Sequence, residues 1–444
     1  MKILYPSTII GPQKKKADAA YRLMHYVVKQ EVEEGVLLYN TLTCTMALVT
    51  HEEAQHLTDV EGLVENWFLV PVEHDDKKFC KFLKVSLKLK QKEQKGIGNY
   101  TIVTTTGCNA RCAYCFEKGT KPVNMTTETA EKVAQYIINH RGEREKVHFS
   151  WFGGEPLYNF KVMDRICSRL AEQGIEYSSG ITTNGYLFSE KMVEKAVQLW
   201  HLKRAQITLD GTEDNYNRIK AFVHRNEPSP FQRVLNNIGM LLNAGIKVSI
   251  RLHISNDNVQ DMKELTTLLA ERFKDQKLFS VYYHRIFEGL GPEATMQSSE
   301  KRTQLFQNIQ RLESEAYLLR ILKLKKLSQK IKLNHCKVDS ENSVMIAPDG
   351  HLGLCEHYID SHFFGHIDSD EEDQEALKQQ REYYEEIPEC DTCALYPKCY
   401  RLKICNEKEI CYKEEREYKI SVIQRQMQND YHRLMKEEKS QLNE

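Results

Sequence analysis

Cys108, Cys112 and Cys115 stand in a CxxxCxxC spacing, directly after the β-branched run 100–106 and Gly107. Three thiolates on one tight loop suit an iron–sulfur cluster, which is held by cysteine sulfur. A 4Fe–4S cube takes one ligand on each of four irons, and this loop supplies three. The fourth iron is then open to a small molecule, which separates a catalytic cluster from one that only carries electrons. A zinc knuckle is the alternative, although zinc favours four ligands in paired CxxC or Cys/His spacings. A second group of seven cysteines, Cys336, Cys355, Cys390, Cys393, Cys399, Cys405 and Cys411, lies toward the C-terminus. Seven thiols fit two auxiliary 4Fe–4S clusters with one coordination position supplied otherwise or left open. A zinc ribbon built on Cys390 and Cys393 is the competing reading. Cys44, Cys80 and Cys167 stand alone and read as ordinary buried thiols.

The rest of the composition narrows the setting. A chain of 444 residues can bury a real core and predicts two or three domains. Lys and Arg total 62 against 63 for Asp and Glu, so no field exists to attract nucleic acid or an anionic membrane. No apolar run approaches the roughly 20 residues of a membrane span. The N-terminal sequence carries no apolar signal region with a small-residue cleavage site. The expectation is a soluble cytoplasmic protein, in which 13 cysteines read as metal or redox ligands rather than disulfides.

The elements that must hold the first loop follow from periodicity. Residues 98–285 alternate strand and helix patterns, which predicts a parallel sheet with helices outside it. Strands are expected at 100–106, 146–152, 177–183, 204–210, 246–254 and 278–285, with helices near 127–140, 159–173, 189–199, 230–243 and 259–272. In the fourth strand Gln206, Thr208 and Asp210 alternate with apolar residues, and in the fifth Ser249, Arg251 and His253 do the same. Period two puts each polar set on one face, toward the lumen if helices cover the other. Asp210 and Arg251 are therefore candidate contacts for a cofactor or substrate. Before this region, residues 1–95 predict a small α+β domain with a hairpin turning at Glu34-Gly35, a strand at 46–49 and a short helix capped by Thr50. After it, residues 286–335 read as a helical linker, with a glycine-rich turn at 288–292, an amphipathic stretch over 298–333 and a solvated basic patch at 323–326. Residues 413–444 read as a charged helical tail packed on the barrel.

Four signals, each at a predicted strand end, carry a family resemblance. The loop Cys108-Asn-Ala-Arg-Cys-Ala-Tyr-Cys-Phe116, the run Trp151-Phe152-Gly153-Gly154-Glu155-Pro156, the turn Thr182-Thr183-Asn184-Gly185 and the polar strand faces resemble the radical S-adenosylmethionine (SAM) superfamily. The resemblance implies a partial (β/α)6 TIM-type barrel with its chemistry at the C-terminal strand ends. It implies that SAM chelates the open iron and is reductively cleaved to a 5′-deoxyadenosyl radical that abstracts a hydrogen from the substrate. Cys108, Cys112 and Cys115 would hold the cluster, and Tyr114, Gly153, Gly154, Glu155, Thr183, Asn184, Asp210 and Arg251 would surround SAM. Arg251 could grip the SAM carboxylate bidentately. Residues 336–412 resemble the SPASM extension of peptide-modifying radical enzymes. That likeness implies Cys336, Cys355 and Cys405 on one auxiliary cluster and Cys390, Cys393, Cys399 and Cys411 on the other. Five residues rather than the family's usual three separate Cys399 from Cys405, which puts the place of Cys405 in question.

By the same likeness Glu356, just after Cys355, is the candidate base, provided burial lifts its pKa toward neutrality. Turn capping is the other reading of that residue. The whole resembles maturases of ribosomally made, cysteine-rich peptides, and implies a thioether or carbon–carbon crosslink in a precursor peptide. Its leader would be taken up by the N-terminal domain through strand addition, a structural cover for the barrel being the other reading of that domain, and reduced flavodoxin or ferredoxin would supply the electron. Anaerobic sulfatase maturation, which converts Cys or Ser to formylglycine, is the alternative enzyme. A multi-cluster electron carrier is the alternative of another class.

Overall fold

The structure is a computed structural model that describes residues 1–7, 10–16, 18–90, 96–115, 117–223, 228–286, 298–334, 336–399, 402–405 and 411–441. Its centre is six parallel strands: β7 (Asn99–Thr105), β8 (Lys146–Gly153), β9 (Glu176–Thr183), β10 (Leu202–Leu209), β11 (Lys247–Ile254) and β12 (Phe279–Arg285). Helices α3 (Thr127–His140), α4 (Phe160–Glu172), α5 (Glu190–Gln198), α6 (Glu213–Lys220), α7 (Pro230–Asn243) and α8 (Val259–Phe273) make the crossovers. The period-two rule holds: Ala205, Ile207, Leu209, Val248, Ile250 and Leu252 are buried under the helices. Gln206, Thr208, Ser249 and Arg251 are half-buried on the opposite face. Local chemistry sets the helix starts, since Thr126, Ser189 and Ser229 each accept a backbone N–H of the first turn, and Pro230 follows Ser229 at N1. Helix α6 is absent from the sequence expectation. It is short and polar, and Tyr216 and Lys220 are its buried residues.

The sheet does not stop at β7. Strand β13 (Ser343–Ile346) pairs in parallel with β7, and β14 (His351–Gly353) and β15 (Gly365–His366) follow antiparallel. The second cysteine group thus begins on the edge of the barrel sheet, nine strands in the order β12-β11-β10-β9-β8-β7-β13-β14-β15. The helical linker expected over 286–335 needs correction. Helix α9 (Ser299–Leu318) ends where Arg320 takes φ 65°, and residues 321–334 run on without helix. Their apolar spacing belongs to an irregular strap that buries Ile321, Leu322, Leu327 and Ile331 while Lys323, Lys325 and Lys326 face water. The glycine-rich turn at 288–292 lies outside the described residues.

The N-terminal region is a four-stranded antiparallel sheet, order β1 (Lys2–Tyr5), β5 (Met46–Val49), β4 (Gly35–Asn40), β3 (Val27–Val32). Beside it are the pair β2 (Tyr21–Leu23) and β6 (Leu69–Pro71) and the helices α1 (His51–Gln55) and α2 (Asp76–Lys90). Thr50 and Glu53 form a capping box at α1. The sheet docks on the second cysteine group: Tyr26 stacks on Tyr396 at 6.0 Å, Thr41 donates to the Ala394 carbonyl at 2.5 Å, and Lys398 donates to the Tyr39 hydroxyl at 2.8 Å. Along the chain, helix α10 (Gln374–Gln380) falls between β15 and Cys390. The C-terminal helix α11 (Lys413–Gln441) packs on α9 and on the N-terminal sheet, where Met427 and Tyr431 join the core of Tyr5, Val28 and Tyr39. The expectation placed it on the barrel. Its first turns do pack there, with Tyr418 against the barrel core and Glu415 paired with Arg285 of β12, while its later apolar positions complete the second face of the small sheet.

Candidate functional site

The loop of Cys108, Cys112 and Cys115 leaves the end of β7 and is gripped from four neighbouring strand or helix ends. From β8, the backbone N–H groups of Gly154 and Glu155 donate to the carbonyls of Thr105 and Gly107, both at 3.0 Å. From β9, the Asn184 amide donates to Asn109 Oδ1 at 2.7 Å. Just past α6, Arg111 N–H donates to the Lys220 carbonyl and Val223 N–H to that of Asn109, both at 2.9 Å. Beyond β10, Tyr114 donates its hydroxyl proton to Asp210 Oδ2 at 2.7 Å. Elements distant in sequence thus meet where parallel strands end together.

Glu155 is fully buried and accepts from Thr183 Oγ1 (2.7 Å), Asn184 N–H (2.8 Å) and Leu157 N–H (3.1 Å). Burial nonetheless pushes its carboxyl up to about 7. It joins the ends of β8 and β9. Gly153 and Gly154 have an internal reason to be glycine. A Cβ at Gly153, where φ is 132°, would stand 2.1 Å from the Thr105 carbonyl oxygen, and one at Gly154 would stand 2.5 Å from that of Gly107. The close approach they permit is first of all between this turn and the cysteine loop.

Asp210 is closed by partners from three elements: Tyr114, His253 Nδ1 at 2.8 Å on Oδ1, and Lys220 Nζ at 2.9 Å on Oδ2. Burial alone would raise its pKa, but Lys220 and His253 hold it well below the ordinary carboxylate value. Lys220 stays charged despite burial because Asp210 faces it. Asp210 is therefore an anchor for Tyr114 rather than an open ligand. Arg251 differs. One Nη lies 2.9 Å from the His284 ring, and Nε is buried without a hydrogen-bond partner among the described residues. Burial and the Arg251 charge push His284 down to about 4, so its neutral ring, donating from Nδ1 to the Arg285 carbonyl at 2.8 Å, can accept at Nε2, 3.1 Å from the Arg251 Nη.

In the second cysteine group, Cys336 sits electrostatically beside Cys355, and Tyr358 feels both Cys355 and Cys405. Cys393 is near Cys390 and Cys411, and Arg416 donates to the Cys411 sulfur at 3.2 Å. Cys336, Cys355 and Cys405 pack on the barrel core, while Cys390 and Cys393 pack on the N-terminal core. Cys44, Cys80 and Cys167 are buried and form no disulfide among the described residues. Glu356 corrects an expectation: it pairs with Lys337, which also donates to Thr101 at 3.1 Å. Burial raises the carboxyl, but Lys337 outweighs it and the net shift is downward rather than toward neutrality.

These residues fit the implied groups. The loop offers three thiols, with burial pushing Cys108 up to about 12, and a buried Asn109 Nδ2 left without a partner among the described residues. Such an N–H suits a cluster sulfur, and the orphaned Arg251 Nε suits a carboxylate. Among the described residues no three His, Cys, Asp or Glu side chains are placed to hold a single metal ion. Sequence reasoning missed Lys220 and Lys337 as parts of these clusters, and passed over Asn109. Only the pair Tyr216 and Lys220, four apart in an otherwise polar helix, hinted at a buried face.

Residues 102–269 match the Radical SAM superfamily, so the chain carries a radical SAM domain. Among curated proteins it is 28% identical over 178 residues to an uncharacterised protein of Methanocaldococcus jannaschii, covering 39% of this chain and 59% of that one. It is 24% identical over 188 residues to Fe-coproporphyrin III synthase of Methanosarcina barkeri (42% and 44%), and 26% identical over 281 residues to GTP 3′,8-cyclase of Clostridium perfringens (61% and 84%). The match thus spans about half the length of the first two. In fold the chain is similar to anSMEcpe with bound AdoMet and Kp18Cys peptide, at TM-score 0.57, 15% identity and 75% and 99% coverage. It is also similar to Streptococcus suis SuiB bound to precursor peptide SuiA, at TM-score 0.51, 13% identity and 86% and 94% coverage. No helix among the described residues is long and apolar enough to cross a membrane.

Proposed function

We propose that this chain is a radical SAM peptide maturase that abstracts hydrogen from a ribosomally made precursor peptide and so forms a thioether or carbon–carbon crosslink. The observation that carries the reading is the cysteine loop joined to the Glu155–Asn184 turn, with an Arg251 Nε that has no partner among the described residues, in a barrel whose sheet continues into a second cysteine group. When bound, a 4Fe–4S cluster with SAM supplies the 5′-deoxyadenosyl radical chemistry of the superfamily. In this reading Cys108, Cys112 and Cys115 hold that cluster and Asn109 donates to its sulfur. Arg251 orients the SAM carboxylate, while Gly153, Gly154, Glu155, Thr183 and Asn184 shape the turn beside it. Tyr114, braced on Asp210, forms one wall. The seven later cysteines hold two auxiliary clusters, in the sets Cys336/Cys355/Cys405 and Cys390/Cys393/Cys399/Cys411. Glu356, whose pairing with Lys337 lowers its pKa, is held as the partner of that lysine beside Cys355 and is not assigned as the base. A peptide substrate is supported by the two fold neighbours, both of them seen with bound peptides. The small N-terminal sheet, resting on the second cysteine group, is where a leader would be received. Reduced flavodoxin or ferredoxin is the proposed electron donor.

The test uses the full chain reconstituted without oxygen. Iron near twelve per chain, as about three 4Fe cubes require, with 5′-deoxyadenosine released from SAM and dithionite, is the expected result. About four irons per chain would remove the two auxiliary clusters. Absence of both SAM binding and deoxyadenosine would overturn the reading in favour of an electron carrier. Mass spectrometry of a cysteine-containing peptide then separates the chemistries: a loss of two hydrogens for a crosslink, formylglycine for sulfatase-type maturation.

A further inference from the structure

Lys220 is the last residue of α6, and its side chain is 4% exposed. An ammonium is buried at a cost unless it is paired and hydrogen-bonded. Here Nζ lies 2.9 Å from Asp210 Oδ2 and donates at 2.9 Å to the Tyr114 hydroxyl, which itself donates to the same carboxylate oxygen at 2.7 Å. The charge also lies over the rings of Tyr114 and Tyr216, 5.6 and 5.9 Å from their centroids. The backbone around it holds the same loop. The Lys220 carbonyl accepts from Arg111, Ala221 turns left-handed at φ 43°, and Val223 then reaches back to Asn109. Phe222, stacked on Tyr186 at 4.7 Å, fixes this reversal in the core. Residues 220–223 thus touch the cysteine loop at Asn109, Arg111 and Tyr114, between and beside the three thiols.

We propose that Lys220 is a positioning residue for the cysteine loop: by bracing Tyr114 against Asp210 it holds the loop of Cys108, Cys112 and Cys115 in its folded conformation before any cluster is present, and afterwards keeps the Tyr114 ring in place beside SAM. The second half rests on the proposed radical SAM function; the first half does not. A loop of this kind has little structure of its own, and its ordering entropy is then met in folding rather than at cluster loading. Lysine is suited to the place because one compact charge serves a carboxylate and a phenol together.

The experiment begins with the apo full chain under reducing, anaerobic conditions. Maleimide modification of each cysteine is timed by peptide mapping in wild type, Lys220→Met, Lys220→Arg and Tyr114→Phe, with buried Cys167 as the check on folding. The expected result is a rise of roughly tenfold or more in the rates at Cys108, Cys112 and Cys115 for Lys220→Met, as a locally opened loop would give. The rise should be smaller in Lys220→Arg, with Cys167 protected throughout. Unchanged loop rates in both Lys220→Met and Tyr114→Phe would overturn the proposal. If Lys220→Met exposes Cys167, Tyr114→Phe decides, since it keeps both charges and the ring and removes only the bridging hydroxyl. In reconstituted protein the KM for SAM should rise more than kcat falls in Tyr114→Phe, and wild-type KM would overturn the second half. Failure of wild type itself to cleave SAM would count against the proposed function and leave the apo result standing.

Discussion

At the scale of single residues, Arg251 is distinguished by what it lacks. Asp210, Glu155 and Asn184 have their polar atoms engaged within the chain, so their work is to hold other groups in place. Arg251 shares one Nη with His284, and its buried Nε has no partner among the described residues. A planar fork of donors facing the lumen is suited to a carboxylate in a way a lysine is not. Replacing Arg251 with Lys should therefore weaken SAM binding by roughly 10- to 100-fold, the loss of about 1.5–3 kcal/mol in a charge-assisted contact. Equilibrium binding of SAM to the anaerobically reconstituted protein measures this, and undiminished affinity would place the carboxylate elsewhere. Gly153 teaches a related lesson. A bulky residue there would force the turn off the Thr105 carbonyl whether or not SAM binds, so it cannot separate a SAM site from a scaffold.

At the scale of elements, Asp76 decides the stability of the N-terminal region. It sits at the start of α2 with its side chain 2% exposed, and receives Arg22 from β2 and His74 at 2.8 Å. Burial would raise its carboxyl, yet these partners and the His25 N–H bring it down to about 2. Because the folded value lies below the unfolded one, the contribution is complete above pH 3.8 and is lost as pH falls toward about 2. A shift of near two pKa steps corresponds to roughly 2–3 kcal/mol. Asp76→Asn should cost about that much at neutral pH, and the difference from wild type should vanish in acid. Urea titrations monitored by the fluorescence of Trp67, which stacks on Phe79 at 4.6 Å, would record it. Equal stability at pH 7 would mean the cluster contributes nothing net.

For the whole molecule, the notable contact is between its two ends. The N-terminal sheet rests on the segment of Cys390, Cys393 and Cys399, and α11 closes over the same sheet. That segment is built of short 3₁₀ turns, so its shape depends on the sheet and on whatever its thiols bind. Removing iron with a chelator from the loaded protein should speed hydrogen exchange at residues 39–44 as well as 390–399, with the β8–β11 strands unaffected. Exchange confined to 390–399 would show the two to be independent.

The barrel was legible because its physics is local and repetitive. Two of the helices, 127–140 and 230–243, begin and end where caps and apolar spacing put them, and the lumen face of β10 and β11 follows from a period of two. The three-cysteine loop and the Gly153–Pro156 turn were equally visible, since few chemistries ask for those residues in that order. What no spacing encodes is which side chain satisfies which. The pairing of Lys337 with Glu356, which reverses the expected pKa shift, joins residues 19 positions apart through a fold-dependent approach. Lys220 reads in sequence as one more charge on a polar helix, and only the tertiary structure turns it inward onto Asp210. The spacing of Leu324, Leu327 and Ile331 suits a helix locally, but burial against β12 and the N-terminal sheet makes an irregular strap of 321–334. Periodicity and ligand chemistry determined the fold and the site's raw materials. Long-range packing, which sets desolvation and the choice of partner for each buried charge, decided how the site is wired.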